Sequence, residues 1–170
     1  MEVWDAYYED GSLAGCDLIR GEPIPDGLYH LVCEILVRHT DGSYLLMQRD
    51  FIKADFPGML EATAGGSALK GETPIVAAIR ELREETGVEA KELTLLCDPF
   101  IDGKSLYYYC FLCVTDCGKD AITLQEGETI SYRWLTKDEF LKFANSNECI
   151  PSQKARLISY LSGIEQNVYY

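Results

Sequence analysis

A chain of 170 residues can bury one full core and is short for two, so a single domain over residues 1–170 is expected. With 47% hydrophobic and 25% charged residues it has the balance of a soluble globular protein, and no apolar run approaches the ~18 residues of a membrane helix. A formal net charge of -13 repels nucleic acid and anionic membrane, so neither is an expected partner, and a pocket for an anionic small molecule must bring its own cations.

The start of the chain lacks the basic flank and apolar stretch of a secretory signal, which makes the cytoplasm the default location. Residues 3–8 and 13–16 flank the turn-rich Glu9-Asp10-Gly11-Ser12 and predict an opening hairpin over about residues 3–17. After the break at residues 22–27, residues 29–38 and 43–48 are apolar and β-branched, and Thr40-Asp41-Gly42 joins them as a second hairpin. Residues 50–58 read as a loop, and a short strand at residues 60–64 runs into Gly65-Gly66.

The clearest helix follows at residues 73–86. Thr73 suits the N-cap, Pro74 the first turn and Gly87 the C-terminal cap. Ile75, Ile79, Leu82 and Thr86 recur at helical spacing and predict the stripe that faces the core. Strands are then expected at residues 92–97, 106–115 and 130–135, and helices at 137–144 and 152–163. Strands mixed with few helices predict an α+β arrangement, a mixed sheet with helices on its faces. The seven cysteines are expected as free thiols. Cys110, Cys113 and Cys117 lack the paired spacing of a metal site, and Cys110 and Cys113 would point to opposite faces of one strand.

On the helix, Glu81, Glu84 and Glu85 are related by i+3 and i+4 and share one face. By themselves they would pass for a solvated acidic surface. Gathered carboxylates repel one another unless cations collect there, and hard oxygen ligands suit Mg²⁺ or Mn²⁺. The surrounding residues give the trio a context. Gly66, Glu72, Arg80-Glu81-Leu82, Glu84-Glu85 and Gly87-Val88 fill every defined position of the pattern G-x5-E-x7-R-E-U-x-E-E-x-G-U, with U aliphatic. Seven fixed residues at ordinary usage give a chance match of roughly 10⁻⁸ per window.

This is the Nudix box, and the chain resembles the Nudix hydrolases over residues 66–88 and, more loosely, over about residues 3–140. The resemblance implies an α/β/α sandwich around a mixed sheet, with a loop–helix–loop motif at the catalytic centre. It implies that Glu81, Glu84, Glu85 and the carbonyl of Gly65 bind a divalent metal, and that Arg80 holds a carboxylate in place. Glu72 would brace the loop or bind metal through water, Gly66 and Gly87 would serve backbone geometry, and Glu84 is the favoured general base. Glu128, ahead of a strand carrying Trp134, resembles the acidic residue that the family recruits from outside the box, with Glu126 as a competitor. The implied reaction is Mg²⁺-dependent hydrolysis of a small-molecule diphosphate, a nucleoside di- or triphosphate or a derivative, by a monomer or homodimer. The alternatives are an isopentenyl-diphosphate isomerase and a Nudix module that senses a nucleotide without cleaving it, which loss of the box carboxylates would signal and their presence argues against.

Arg20, Gly27-Leu28-Tyr29-His30, Gln48-Arg49, Lys53 and Phe56-Pro57-Gly58 look like the Nudix branch that includes isopentenyl-diphosphate isomerases, and by that analogy Arg20, Arg49 and Lys53 contact phosphate. The isomerase cysteine and histidine positions hold Gly65 and Ser67 here, and neither can supply the acid or the imidazole. His30 and the alternating Tyr107-Tyr108-Tyr109 are read mainly as structural residues, with a tyrosine available to line a pocket. The family's usual specificity cues leave the substrate open, since Pro99 comes early for an ADP-ribose enzyme and Tyr107 fits a dinucleotide enzyme only loosely.

Overall fold

A computed structural model describes residues 1–97, 99–101 and 105–165 of the chain. The described residues form ten strands and three helices. In chain order these are β1 (Val3–Tyr7), β2 (Leu13–Ile19), β3 (Tyr29–His39), β4 (Tyr44–Arg49), β5 (Leu60–Glu61), β6 (Thr63–Ser67), α1 (Pro74–Thr86), β7 (Leu93–Leu95), β8 (Phe100–Ile101), β9 (Leu106–Thr115), β10 (Thr129–Leu135), α2 (Lys137–Asn145) and α3 (Pro151–Glu165). Each predicted element is present. The two-residue strand β8 was not predicted, being too short to show an alternation.

β3 is the hub of a mixed sheet. One edge pairs in parallel with β9, from His30 opposite Leu106 to His39 opposite Thr115. Its other edge pairs in turn with antiparallel β1, β6 and β4. β10 and β5 extend the sheet from β4, and β7 and β8 extend it from β9.

Strands buried on both faces need apolar residues at odd and even positions alike, and β3 has them. Leu31, Cys33, Ile35 and Val37 join Ala77, Ala78 and Leu82 of α1 in one core, while Leu36 turns to the opposite core with Phe140, Phe143, Leu157 and Leu161 of α2 and α3. Helices therefore cover both faces, as expected for an α/β/α sandwich. Cys113 lies in the α1-side core. Both Cys110 and Cys113 are buried, and none of the seven cysteines is in a disulfide. Tyr44 anchors the far layer by stacking on Phe140 at 4.2 Å and meeting the Tyr160 hydroxyl at 3.1 Å. A capping box between Thr136 and Glu139 starts α2, satisfying backbone donors that a helix leaves open at its N-terminus.

The caps of α1 are as expected, with Thr73 at the N-cap and left-handed Gly87 closing the helix onto the Arg83 carbonyl. Its orientation is not. Ile75 and Ile79 are 41% and 42% exposed, whereas Ala77, Ala78, Leu82, Glu85 and Thr86 are buried. Leu82 and Thr86 of the predicted stripe are buried, but the centre of the buried face is rotated by roughly 60° from that stripe, counting about 100° per residue. Small side chains explain the turn, because Ala77 and Ala78 let the helix lie close on β6 and β3, where isoleucines would hold it off. Among the described residues no helix is long and apolar enough to cross a membrane.

Candidate active site

The rotation of α1 sets the character of its carboxylates. Glu81 and Glu85 lie along the seam between helix and sheet rather than out in water. Glu85 is only 8% exposed and accepts the Gly65 N–H at 2.9 Å. Burial raises its carboxyl well above the ordinary value, and the neighbouring Glu61 adds to the effect. Burial likewise raises Glu81 and Glu61. Glu84 is the solvent-side member, with a side chain 47% exposed.

The strand beneath is shaped for this approach. Gly65 has φ +151°, and a Cβ there would fall 2.0 Å from the Cys33 carbonyl oxygen. At Gly66 a Cβ would stand 2.7 Å from the Glu81 carboxylate. Only glycines let the strand pass between β3 and the acidic helix.

Arg80 organises the loop before the helix. Its Nε and Nη2 both donate to Glu72 at 2.8 Å, Nη2 reaches the Ser67 carbonyl at 3.0 Å, and Nη1 donates to Glu81 at 2.7 Å and Glu84 at 3.1 Å. Glu72 also accepts the Leu69 N–H at 2.8 Å, which ties it to the loop before the helix. The Arg80 fork holds the Glu72 carboxyl below the usual carboxylate range. The opening hairpin supports the same loop, since Asp5 accepts the Gly71 N–H at 2.6 Å and the Val3 carbonyl accepts the Lys70 N–H at 2.9 Å.

These groups border a cleft of about 630 Å³. Arg20, Arg49, Lys53 and Glu128 all line it, together with Arg80 and the three helix glutamates, so residues far apart in sequence are brought to one place. Glu126 is absent from that lining. Each cation is already engaged. Arg20 pairs with Glu2, Arg49 with Glu61, Lys53 with Glu128, and Arg80 with the box carboxylates. His30 and Trp4 form a wall that sequence reasoning did not place here. Their rings stack at 4.1 Å, and His30 Nε2 lies 3.1 Å from the Ser67 hydroxyl.

A divalent cation suits this donor set. Glu85 is a buried carboxylate facing Glu61 and Glu81, with one backbone N–H against that accumulation. As placed, Glu81 and Glu84 turn toward Arg80, and among the described residues no three His, Cys, Asp or Glu side chains already form a closed cage. Filling the site thus requires these side chains to swing from Arg80 toward the cation.

A mixed sheet between helical layers, with a loop–helix–loop of carboxylates over a glycine-rich strand, defines the Nudix class of protein. The NUDIX domain family model matches residues 28–154. An uncharacterised Nudix hydrolase of Listeria monocytogenes is 34% identical over 154 residues, covering 89% of each chain. The Nudix hydrolase YfcD of Salmonella typhi is 30% identical over 149 residues, covering 82% of this chain and 74% of that one. Among solved structures, a Deinococcus radiodurans protein superposes with a TM-score of 0.67 at 24% identity, covering 83% of this chain and 87% of the other. The NUDIX domain of NrtR from Shewanella oneidensis, solved with ADP ribose, gives 0.54 at 18% identity, covering 67% and 77%. At such identities the structural likeness is one of fold. The chain belongs to the Nudix family and is a hydrolase acting on phosphoric anhydride bonds.

Proposed function

We propose that the protein is a Mg²⁺- or Mn²⁺-dependent pyrophosphohydrolase of nucleoside diphosphate derivatives, with its centre at Glu81, Glu84 and Glu85. The observation that carries this reading is the buried Glu85 carboxylate, surrounded by other carboxylates in a cleft whose own cations are all committed. An anionic diphosphate entering such a cleft needs added positive charge. The three glutamates and the Gly65 carbonyl would hold the metal, and Glu128 would join them on release from Lys53. Bound there, the metal would offset charge on the diphosphate oxygens and acidify a water.

The chain's own groups then divide the work. Glu84, the most exposed of the trio, takes the proton as the water oxygen bonds to phosphorus and the bridging oxygen departs with the electron pair of the broken P–O bond. Arg80 holds Glu81 and Glu84 until they swing to the cation, and its fork on Glu72 keeps it beside them. Arg20, Arg49 and Lys53 contact the phosphates, a role that charge-assisted bonds suit.

A hydrolysis screen in Mg²⁺ over nucleotides, nucleotide sugars, dinucleotides, ADP-ribose and prenyl diphosphates tests the proposal, with Glu84→Gln and Glu85→Gln beside the native enzyme. Both variants should lose at least about a hundredfold in kcat. Full activity of both at limiting metal would refute the site. Isomerised prenyl diphosphate without phosphate release would refute the hydrolytic reading.

A further inference from the structure

Beside the carboxylate cleft lies a second chamber of about 730 Å³. The two share Val32, Arg49, Asp55, Gly65, Leu106 and Tyr108 as common walls, so a group attached to a diphosphate in the cleft falls naturally into the chamber. Its far wall comes from α3 and β8, outside the box. Arg156 lies over the Tyr108 ring at 4.4 Å and forks onto the Glu34 carboxylate, with Nε donating at 2.8 Å. Phe100 stacks on Tyr108 with centroids 5.6 Å apart and planes 19° from parallel. Arg156, Tyr108 and Phe100 thus form a layered aromatic and guanidinium wall, and Phe56 adds a second partly exposed ring from loop 50–58.

Resting on the hydrolytic reading above, we propose that this chamber is the subsite for the uncharged, planar end of the substrate, and that its wall stacks such a ring while refusing a further anionic group. Three considerations lead there. The first is charge. The described lining sets Glu34, Asp55 and Glu61 against Arg49 and Arg156; Arg156 is already held by Glu34, and Arg49, shared with the cleft, leaves Glu61 uncompensated when it turns to the diphosphate. A further phosphate or carboxylate in the chamber would have to break the Glu34–Arg156 pair or remain unpaired, and either is costly away from water. The second is shape, since flat aromatic faces reward a flat partner by offset stacking. The third is polarity. A prenyl tail would cover five ionic groups without replacing the water it displaces, whereas a heterocycle with a polar rim can hydrogen-bond at its edge.

Two matched pairs put the charge on one end of the ligand or the other: ADP-ribose against its 2′-phosphate, and UDP-glucose against UDP-glucuronate. Dissociation constants are measured calorimetrically with Ca²⁺ in place of Mg²⁺, at 0.5 M salt to screen long-range repulsion from the acidic surface. Because the chamber takes the planar end, ADP-ribose should bind about tenfold tighter than its 2′-phosphate, and selectivity confined to the UDP-glucose pair would overturn the proposal. Phe100→Leu, which keeps apolar bulk but loses the flat face, should weaken ADP-ribose about fivefold and leave its 2′-phosphate unchanged. Asp55→Asn should narrow the gap within that pair.

Equal binding within the ADP-ribose pair overturns the proposal. So does an absence of binding, indifference to Phe100→Leu, or tighter binding of geranyl diphosphate than of any nucleotide. Hydrolysis in Mg²⁺ is read separately. Selective binding without turnover would uphold the subsite and refute the hydrolase assignment for this cleft.

Discussion

The Glu34–Arg156 pair allows a quantitative test of how α3 is held against the sheet. The two side chains are 10% and 8% exposed and join β3 to α3 across a long stretch of chain. Breaking a buried pair from one side leaves an uncompensated charge and costs about 3–5 kcal/mol, whereas replacing both partners with apolar groups is close to neutral. At about 2–4 °C per kcal/mol for a domain of this size, each single variant should lose roughly 6–20 °C in Tm. The two losses should differ. In Glu34→Leu the orphaned guanidinium keeps the Tyr108 ring at 4.4 Å, which softens the penalty. In Arg156→Met the Glu34 carboxylate loses its cation and faces Glu61, itself already pushed up by burial and by Glu34. Arg156→Met is therefore the worse of the two, and the double variant should recover most of the loss. Urea unfolding with m-values checked for constancy provides the free energies. Additive costs in the double variant, or singles below about 1 kcal/mol, would refute the reasoning.

Three further outcomes are expected. Mg²⁺ at ten times its Kd should stabilise the protein by about 1.4 kcal/mol, read as a Tm rise of about 3–6 °C; Glu85→Gln should abolish most of that rise while raising the Tm of metal-free protein, because it removes a buried charge. The folded Glu72 carboxyl sits below its unfolded value of 4.5, so its contribution is complete above that pH and is lost as pH falls through the folded value. Melting Glu72→Gln against the native protein should give a deficit of about 4–8 °C at pH 7 that closes on acidification below pH 4.5. Gly65→Ala should cost more than about 4 kcal/mol or leave no folded protein, since its Cβ would meet the Cys33 carbonyl at 2.0 Å. Gly42→Ala, at φ +89° with open space around it, should cost only about 1–2 kcal/mol by the same melt.

What could be read in the sequence, and what could not, follows from how local each signal is. Thr73, Pro74 and Gly87 announce the ends of α1 because a cap is decided within a few residues, and the box is legible because its residues lie on one loop and one helix. Arg156, Glu34, Phe100, Trp4 and His30 gave no such signal. Each reaches the cleft or the chamber through the sheet order, with Arg156 separated by 122 residues from the carboxylate it holds. Glu128 was visible only as one of two acidic candidates, of which it alone lines the cleft.

The misread face of α1 follows from a different cause. Counting apolar residues favours Ile75 and Ile79, yet close packing over Gly65 and Gly66 favours Ala77 and Ala78, and packing prevails. That choice also bears on the chemistry. With the isoleucines inward, the glutamates would stand in water, with little need of any counter-ion beyond bulk salt. With the alanines inward, Glu85 is carried into the seam beside Glu61, where burial disfavours its charge and a cation restores it. The small residues that close the core are thus also the ones that carry Glu85 to where the proposed metal site needs it.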